Sequence, residues 1–109
     1  MTLKGSSEKP IGVLGAGNFG SAVASLIAQH RPVVMYVRQE NTAREINQTQ
    51  AHHGHVFGGQ LHATTQLSYL AEHCDIIFPI VPSLHFRQVM RKLSPYLHPY
   101  HTVSYTHLT

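Results

Sequence analysis

Cysteine is almost missing from this chain: Cys74 is the only one in 109 residues. A disulfide framework within one chain is thereby excluded, and a thiolate metal cluster has too few ligands. The scarcity fits a reducing compartment. Charge is sparse as well, at 12% of the residues. The eight basic and five acidic side chains are scattered, with no Lys/Arg run of the kind that marks a nucleic-acid-binding arm. No apolar stretch approaches transmembrane length. Met1 to Lys9 is polar and lacks an apolar segment, so no signal peptide is expected. Internal repeats at solenoid spacing and low-complexity tracts are absent too.

What is present describes a globular domain. The hydrophobic fraction is 42%, enough for one core. The formal charge is +3 with ten histidines taken as neutral, so the net charge responds to pH near their titration range. The mild basicity is compatible with an anionic ligand and does not demand one.

Residues 1–9 read as a flexible lead-in. Ile11-Gly12-Val13-Leu14 is a short buried strand, followed at once by Gly15-Ala16-Gly17-Asn18-Phe19-Gly20. Phe19, Ala22, Val23, Leu26 and Ile27 recur at helical spacing and predict an apolar stripe on one helix face, with Pro32 as the stop. Val33 to Val37 is a second buried strand. Residues 41–49 predict a weaker helix with Ala43 and Ile46 inward. Gln50 to Gly59 reads as a loop, and Gln60 to Ala63 as a short strand. Thr64 or Thr65 is the expected cap of a short helix carrying Leu67, Leu70 and Ala71. Asp75 to Val81 is a third strong strand, in which Pro79 predicts a local irregularity because proline cannot donate to a ladder. A helix with Phe86, Val89, Met90, Leu93 and Leu97 on one side follows, then a last strand from His101 to Tyr105. Such strand–helix alternation predicts an α/β fold with a parallel sheet and helices on both faces. It is a Rossmann-type doubly wound sheet of about five strands, incomplete because 109 residues do not supply both halves.

The GxGxxG motif is weak alone, but here a strand precedes it and an amphipathic helix and second strand follow. Gly15 allows the tight turn, Gly17 a close backbone approach to a pyrophosphate, and Gly20 close helix–sheet packing. The helix N-terminus then meets the phosphates. Arg38, at the tip of the second strand, is either an adenosine-side contact that accepts NADP or a solvated loop charge. Val81, Pro82 and Ser83 lie at the carboxyl end of a central strand. They either line the nicotinamide-ribose region, or Ser83 merely caps a helix. His52, His53 and His55 lack the i, i+4 spacing of a helical metal pair, and their setting reads as a solvated loop. No metal site is assigned, and Cys74 is expected to pack as a small apolar residue.

These residues together resemble the N-terminal domain of NAD(P)-dependent glycerol-3-phosphate dehydrogenase. The features that carry the resemblance are Ile11 to Ala22, the Tyr36-Val37-Arg38 strand end, Ile80-Val81-Pro82-Ser83, and Leu97-His98-Pro99, over roughly residues 10–104. The resemblance implies NADP or NAD as cofactor, held by Asn18 and Phe19 inside the glycine motif and by Arg38 after the second strand; with Gly15, Ala16, Gly17, Gly20, Val81, Pro82 and Ser83 these make up the candidate cofactor site. It implies reversible reduction of dihydroxyacetone phosphate to sn-glycerol 3-phosphate, feeding glycerophospholipid synthesis, in a cytoplasmic and commonly dimeric enzyme. No nucleic-acid or membrane partner is expected.

The chain departs from that family after the fifth strand. The family continues with a Thr-Lys-Gly segment, whereas here Ser104 is followed by Tyr105-Thr106-His107-Leu108-Thr109. Residues 105–109 read as a tail foreign to the family, and the catalytic C-terminal domain is expected to be absent. Lys4, Lys9 and Lys92 are the only lysines, and none occupies a matching position, so no catalytic residue is assigned. The isolated chain is expected to have negligible dehydrogenase activity. The alternatives are a fragment of another Rossmann reductase, of the pyrroline-carboxylate or hydroxyacid type, and a non-catalytic dinucleotide-binding module.

Overall fold

Four consecutive buried residues make β1 (Ile11–Leu14) the centre of the molecule. The chain leaves it through a glycine turn into α1 (Asn18–Ala28), returns as β2 (Val33–Tyr36) and crosses again through α2 (Glu40–Thr49). After a small hairpin, β3 (Ala51–His52) and β4 (His55–Val56), come β5 (Leu61–Thr64), α3 (Leu67–His73), β6 (Ile76–Pro79), α4 (Ser83–Leu93), a 3₁₀ turn at Ser94–Tyr96, and β7 (Thr102–Val103). The computed structural model describes residues 9–81 and 83–104. The expected lead-in at 1–8, Pro82, and the tail at 105–109 lie outside the described residues. Among those described, no helix is long and apolar enough to cross a membrane.

Five strands form one parallel sheet in the order β5-β2-β1-β6-β7. Two apolar layers flank it. Val13, Met35 and Ala63 face α1 and α2, joined by Ala24, Ala28, Ile46 and Phe57. Leu14, Val34 and Ile77 face α3 and α4, with Leu70, Cys74, Val89 and Leu93. This is the doubly wound α/β architecture that the alternation predicts. Ala43 and Ile46 are the buried residues of α2, as their spacing implies, and Cys74 is buried among apolar neighbours.

The predicted face of α1 is not the buried one. Phe19 and Leu26 are 46% and 62% exposed, while Gly20, Ser21, Ala24 and Ala28 are buried. Small side chains win because the helix start runs close to the glycine turn: a Cβ on Gly20 would stand 2.6 Å from the Gly15 carbonyl oxygen. The helix also ends before Pro32, at Gln29, whose N–H bonds back into the last turn. Neither threonine caps α3. Gln66 occupies that position without a side-chain bond; Thr64 Oγ1 accepts from the Gln66 N–H at 3.0 Å, and Thr65 Oγ1 donates to Glu40 Oε2 at 2.6 Å.

Pro79 closes β6 rather than interrupting it. Ile80 N–H continues the ladder to the Leu14 carbonyl at 2.8 Å, on the β1 side. On the other side, Ser104 N–H reaches the Ile77 carbonyl at 2.9 Å, and the next rung would need a Pro79 N–H that does not exist. The loop into β7 is tied to α3 by His101. Its Nδ1 accepts from the His98 N–H at 2.8 Å and its Nε2–H donates to the Ala71 carbonyl at 2.7 Å, which fixes the tautomer.

β5 is an edge strand, yet its outward main chain is satisfied. Asn47 on α2 pairs with Ala63 through both ends of its amide, at 3.0 and 2.7 Å. Gln50 pairs with Leu61 in the same way, at 2.8 and 3.2 Å. Two side-chain amides thus stand where a neighbouring strand would.

Candidate functional site

The strand order reverses beside β1. From β1 the chain moves outward to β2 and β5, then returns to the far side as β6. Ligands of open α/β sheets bind at such a reversal, outside the carboxyl ends of the strands. Three chain segments meet there. Gly15 N–H donates to the Tyr36 carbonyl at 3.2 Å, so the glycine turn leans on the end of β2. Gly15 has φ +119°, and a Cβ on it would run into the Ile80 carbonyl and come within 3.2 Å of Val81 Cγ1. Only glycine fits a left-handed backbone pressed against β6.

Gly17 is different. A Cβ there meets nothing within 4 Å, and Gly17 is the N-cap of α1, with no side-chain cap and no acidic residue in the first turn. The first-turn N–H groups of a helix have no intrahelical partners and carry its positive end. An open approach, uncapped donors and no competing carboxylate fit a diphosphate. Asn18 and Phe19 are exposed at this end, whereas Gly20 is buried beneath it.

Gly15, Ala16, Gly17, Asn18, Phe19 and Gly20, all expected at the site, thus lie together where β1 turns into α1, with Val81 against the turn. Arg38 lies two residues past β2, exposed, on the strand next to β1. Ser83 begins α4, directly beyond this strand end; Pro82 lies outside the described residues. An open groove of about 340 Å³ elsewhere, between α2 and β5, is lined by Glu40, Arg44, Asn47 and Thr65. There Thr65 donates to Glu40, Asn47 to the Ala63 carbonyl, and Arg44 to Asn41.

The predicted loop at 50–59 holds a feature that the sequence did not reveal. His53 (φ 51°) and Gly54 (φ 79°) form the left-handed pair that tight hairpins use, and β3 and β4 pair around them. Phe57 anchors the hairpin in the α1/α2 core, and β4 packs against α1. This sets the hairpin beside α1, and burial with the neighbouring His53 holds the His52 imidazole below its ordinary value. Among the described residues, no three metal-binding side chains come together.

The family model for the NAD-dependent glycerol-3-phosphate dehydrogenase N-terminus matches residues 10–107. The chain belongs to this family. It is 34% identical over 99 residues to the glycerol-3-phosphate dehydrogenase [NAD(P)+] of Acinetobacter baylyi, a match spanning 86% of this chain and 28% of that protein. A Mycobacterium tuberculosis relative of the same name is 35% identical over 98 residues, 85% of this chain and 29% of its own length. The chain thus spans less than a third of these curated relatives. Among solved structures, the glycerol-3-phosphate dehydrogenase of Coxiella burnetii superposes with a TM-score of 0.81 at 23% identity, over 90% of this chain and 32% of that one. A Synechocystis arogenate dehydrogenase superposes at 0.71 with 25% identity, over 90% and 32%. The chain is therefore the N-terminal, dinucleotide-binding domain type of this NAD(P)-dependent dehydrogenase family.

Proposed function

We propose that this chain binds NAD or NADP as the cofactor-holding part of an enzyme that interconverts dihydroxyacetone phosphate and sn-glycerol 3-phosphate, supplying glycerophospholipid synthesis in the cytoplasm. The observation that carries the proposal is the turn itself: Gly15 is locked against β6, while Gly17 leaves open space in front of an uncapped helix. The residues that would hold the cofactor are Gly15, Ala16, Gly17, Asn18, Phe19 and Gly20 at the diphosphate, Arg38 at the adenosine, and Val81, Pro82 and Ser83 at the nicotinamide side.

The cofactor, when bound, supplies the hydride. The chain's own work is binding and orientation. Main-chain N–H groups at the start of α1 neutralise the diphosphate. The Arg38 guanidinium, free to swing in solvent, reaches a 2′-phosphate or stacks on adenine. Among the described residues no lysine stands at the strand ends that form the site: Lys9 pairs with Asp75 at 3.3 Å at the opposite, amino end of β6, and Lys92 is in the last turn of α4. Polarisation of a substrate carbonyl has no identified agent here, so negligible turnover is expected of the chain alone. Large apolar side chains left in solvent, Phe19 and Leu26 on α1 and Leu84 (86% exposed) on α4, support the part of a larger protein over a self-contained module. In the whole protein a homodimer is the expected assembly.

The experiment is a calorimetric titration of the folded chain with NADPH and NADH beside Arg38→Ala. The expected result is binding that weakens in the variant, more for NADPH. A folded chain that binds neither cofactor would overturn the proposal.

A further inference from the structure

Glu40 has two cations within its natural reach. Arg38 lies two residues before it, and Gln39 between them is extended (φ −119°, ψ 138°). Side chains two apart on an extended backbone leave it on the same side. Arg44 lies four residues after Glu40, one turn along α2, where opposite charges commonly pair. Among the described residues neither pair forms. Glu40 Oε2 instead accepts from Thr65 Oγ1 at 2.6 Å, and Arg44 Nη1 donates to Asn41 Oδ1 at 3.1 Å. Arg38 has no hydrogen-bond or ion-pair partner among the described residues.

We infer that Thr65 is a positioning residue for cofactor choice: by holding the Glu40 carboxylate it keeps that charge off Arg38 and leaves the guanidinium to a 2′-phosphate. The inference rests on the dinucleotide proposal above and adds to it a residue from another strand end. The loop that carries Thr65 is pinned beside Arg38. It follows β5 directly, and β5 runs parallel to β2 with Thr64 opposite Tyr36. The Val37 N–H donates to the Thr64 carbonyl at 2.9 Å. Thr64 is itself buried, and its Oγ1 accepts from the Gln66 N–H at 3.0 Å. A hydroxyl on such a loop, donating to a carboxylate, makes a charge-assisted bond stronger than one between neutral groups.

The two cofactors differ by the phosphate on the adenosine ribose. An arginine accepts that phosphate, whereas a free carboxylate at this strand end holds the 2′-hydroxyl of NAD instead. Glu40 released from Thr65 would act against NADP twice. It would pair with Arg38, and its own charge would stand close to the phosphate. NAD carries no 2′-phosphate and loses nothing by either. The tether therefore acts on the ratio of two affinities, not on the diphosphate turn that both cofactors share.

The test is calorimetry of the full chain with NADPH and with NADH. In Thr65→Ala, NADPH affinity is expected to fall about fivefold, the measure of one exposed ion pair, while NADH affinity holds or rises. Thr65→Ser retains the hydroxyl and should restore the parent's ratio. With Glu40→Gln already in place, adding Thr65→Ala should leave the ratio unmoved, because no charge remains to be held. An unchanged ratio in Thr65→Ala, or equal losses for both cofactors, overturns the inference. So does the same shift in the Glu40→Gln background, which would mark a merely structural role. Should Thr65→Ala fail to fold, Thr65→Val, which also lacks the hydroxyl, takes its place with the same outcomes. A folded parent that binds NADH and not NADPH overturns this inference and leaves the dinucleotide proposal standing; one that binds neither removes both.

Discussion

Alanine at Gly17 and alanine at Gly20 add the same methyl group three residues apart, and the structure gives them opposite consequences. Gly17 has φ −72° and ψ −172°, a conformation any residue adopts, and its Cβ direction is empty to 4 Å. Alanine there loses a little as an N-cap and gains a little by stiffening the unfolded chain, about 0.5–1 kcal/mol each and of opposite sign. Stability should stay within about 1 kcal/mol of the parent. At Gly20 the same methyl falls 2.6 Å from the Gly15 oxygen and 3.2 Å from its carbon. Both are backbone atoms of a turn that is itself wedged against Ile80, so neither side yields easily. Overpacking of this kind costs about 1–3 kcal/mol. Urea denaturation followed by circular dichroism measures the two stabilities, and calorimetry with NADH measures the site. Gly17→Ala should unfold at the parent's midpoint yet bind at least about tenfold more weakly, because the methyl fills the diphosphate's approach. Gly20→Ala should lower the midpoint. Unchanged NADH affinity in Gly17→Ala would refute the assignment of the turn, and full stability in Gly20→Ala would refute the packing described for α1.

Asn47→Ala removes two hydrogen bonds to an edge strand, so about 1–2 kcal/mol of stability should be lost with an unchanged denaturant slope, whereas Gln48→Ala, on the exposed side of α2, should be neutral. Burial, with Asp75 adding to it, pushes the Cys74 thiol up to about 12. Because the folded value lies above the ordinary 9.0, its contribution is complete below pH 9 and is lost as pH rises toward 12; Cys74→Ala should flatten that alkaline slope. The same thiol should resist aromatic disulfide reagents until the chain unfolds, and rapid labelling of the native protein would contradict its burial. The Lys9–Asp75 pair is exposed on both sides, so Asp75→Asn should shift stability by less than about 0.5 kcal/mol.

The layered sheet was legible because β1, β2 and the β6 region are continuous apolar runs and the glycine motif marks where the first strand ends. The α4 stripe was legible too: Val89 and Leu93 are buried, as their spacing indicates. The face of α1 was misread because hydrophobicity outweighed size. Gly20, Ala24 and Ala28 recur every four residues, and that small-residue period is the trace that close packing left in the sequence. The hairpin escaped notice because its strands are two residues long and its turn is His-Gly rather than Asn-Gly. The amides of Asn47 and Gln50 were equally silent, being ordinary polar residues until β5 lies beside them.

The two sides of the sheet differ as the two ends of a monomer differ in a polymerisation. On the β5 side, Asn47 and Gln50 act as a chain terminator: the groups that would accept another strand are already consumed. Among the described residues, β7 has a strand on one side only. A sheet whose one side is closed in this way can add strands only from the other, whereas an open-ended fibre requires both. Replacing both Asn47 and Gln50 would convert this monofunctional unit into a bifunctional one.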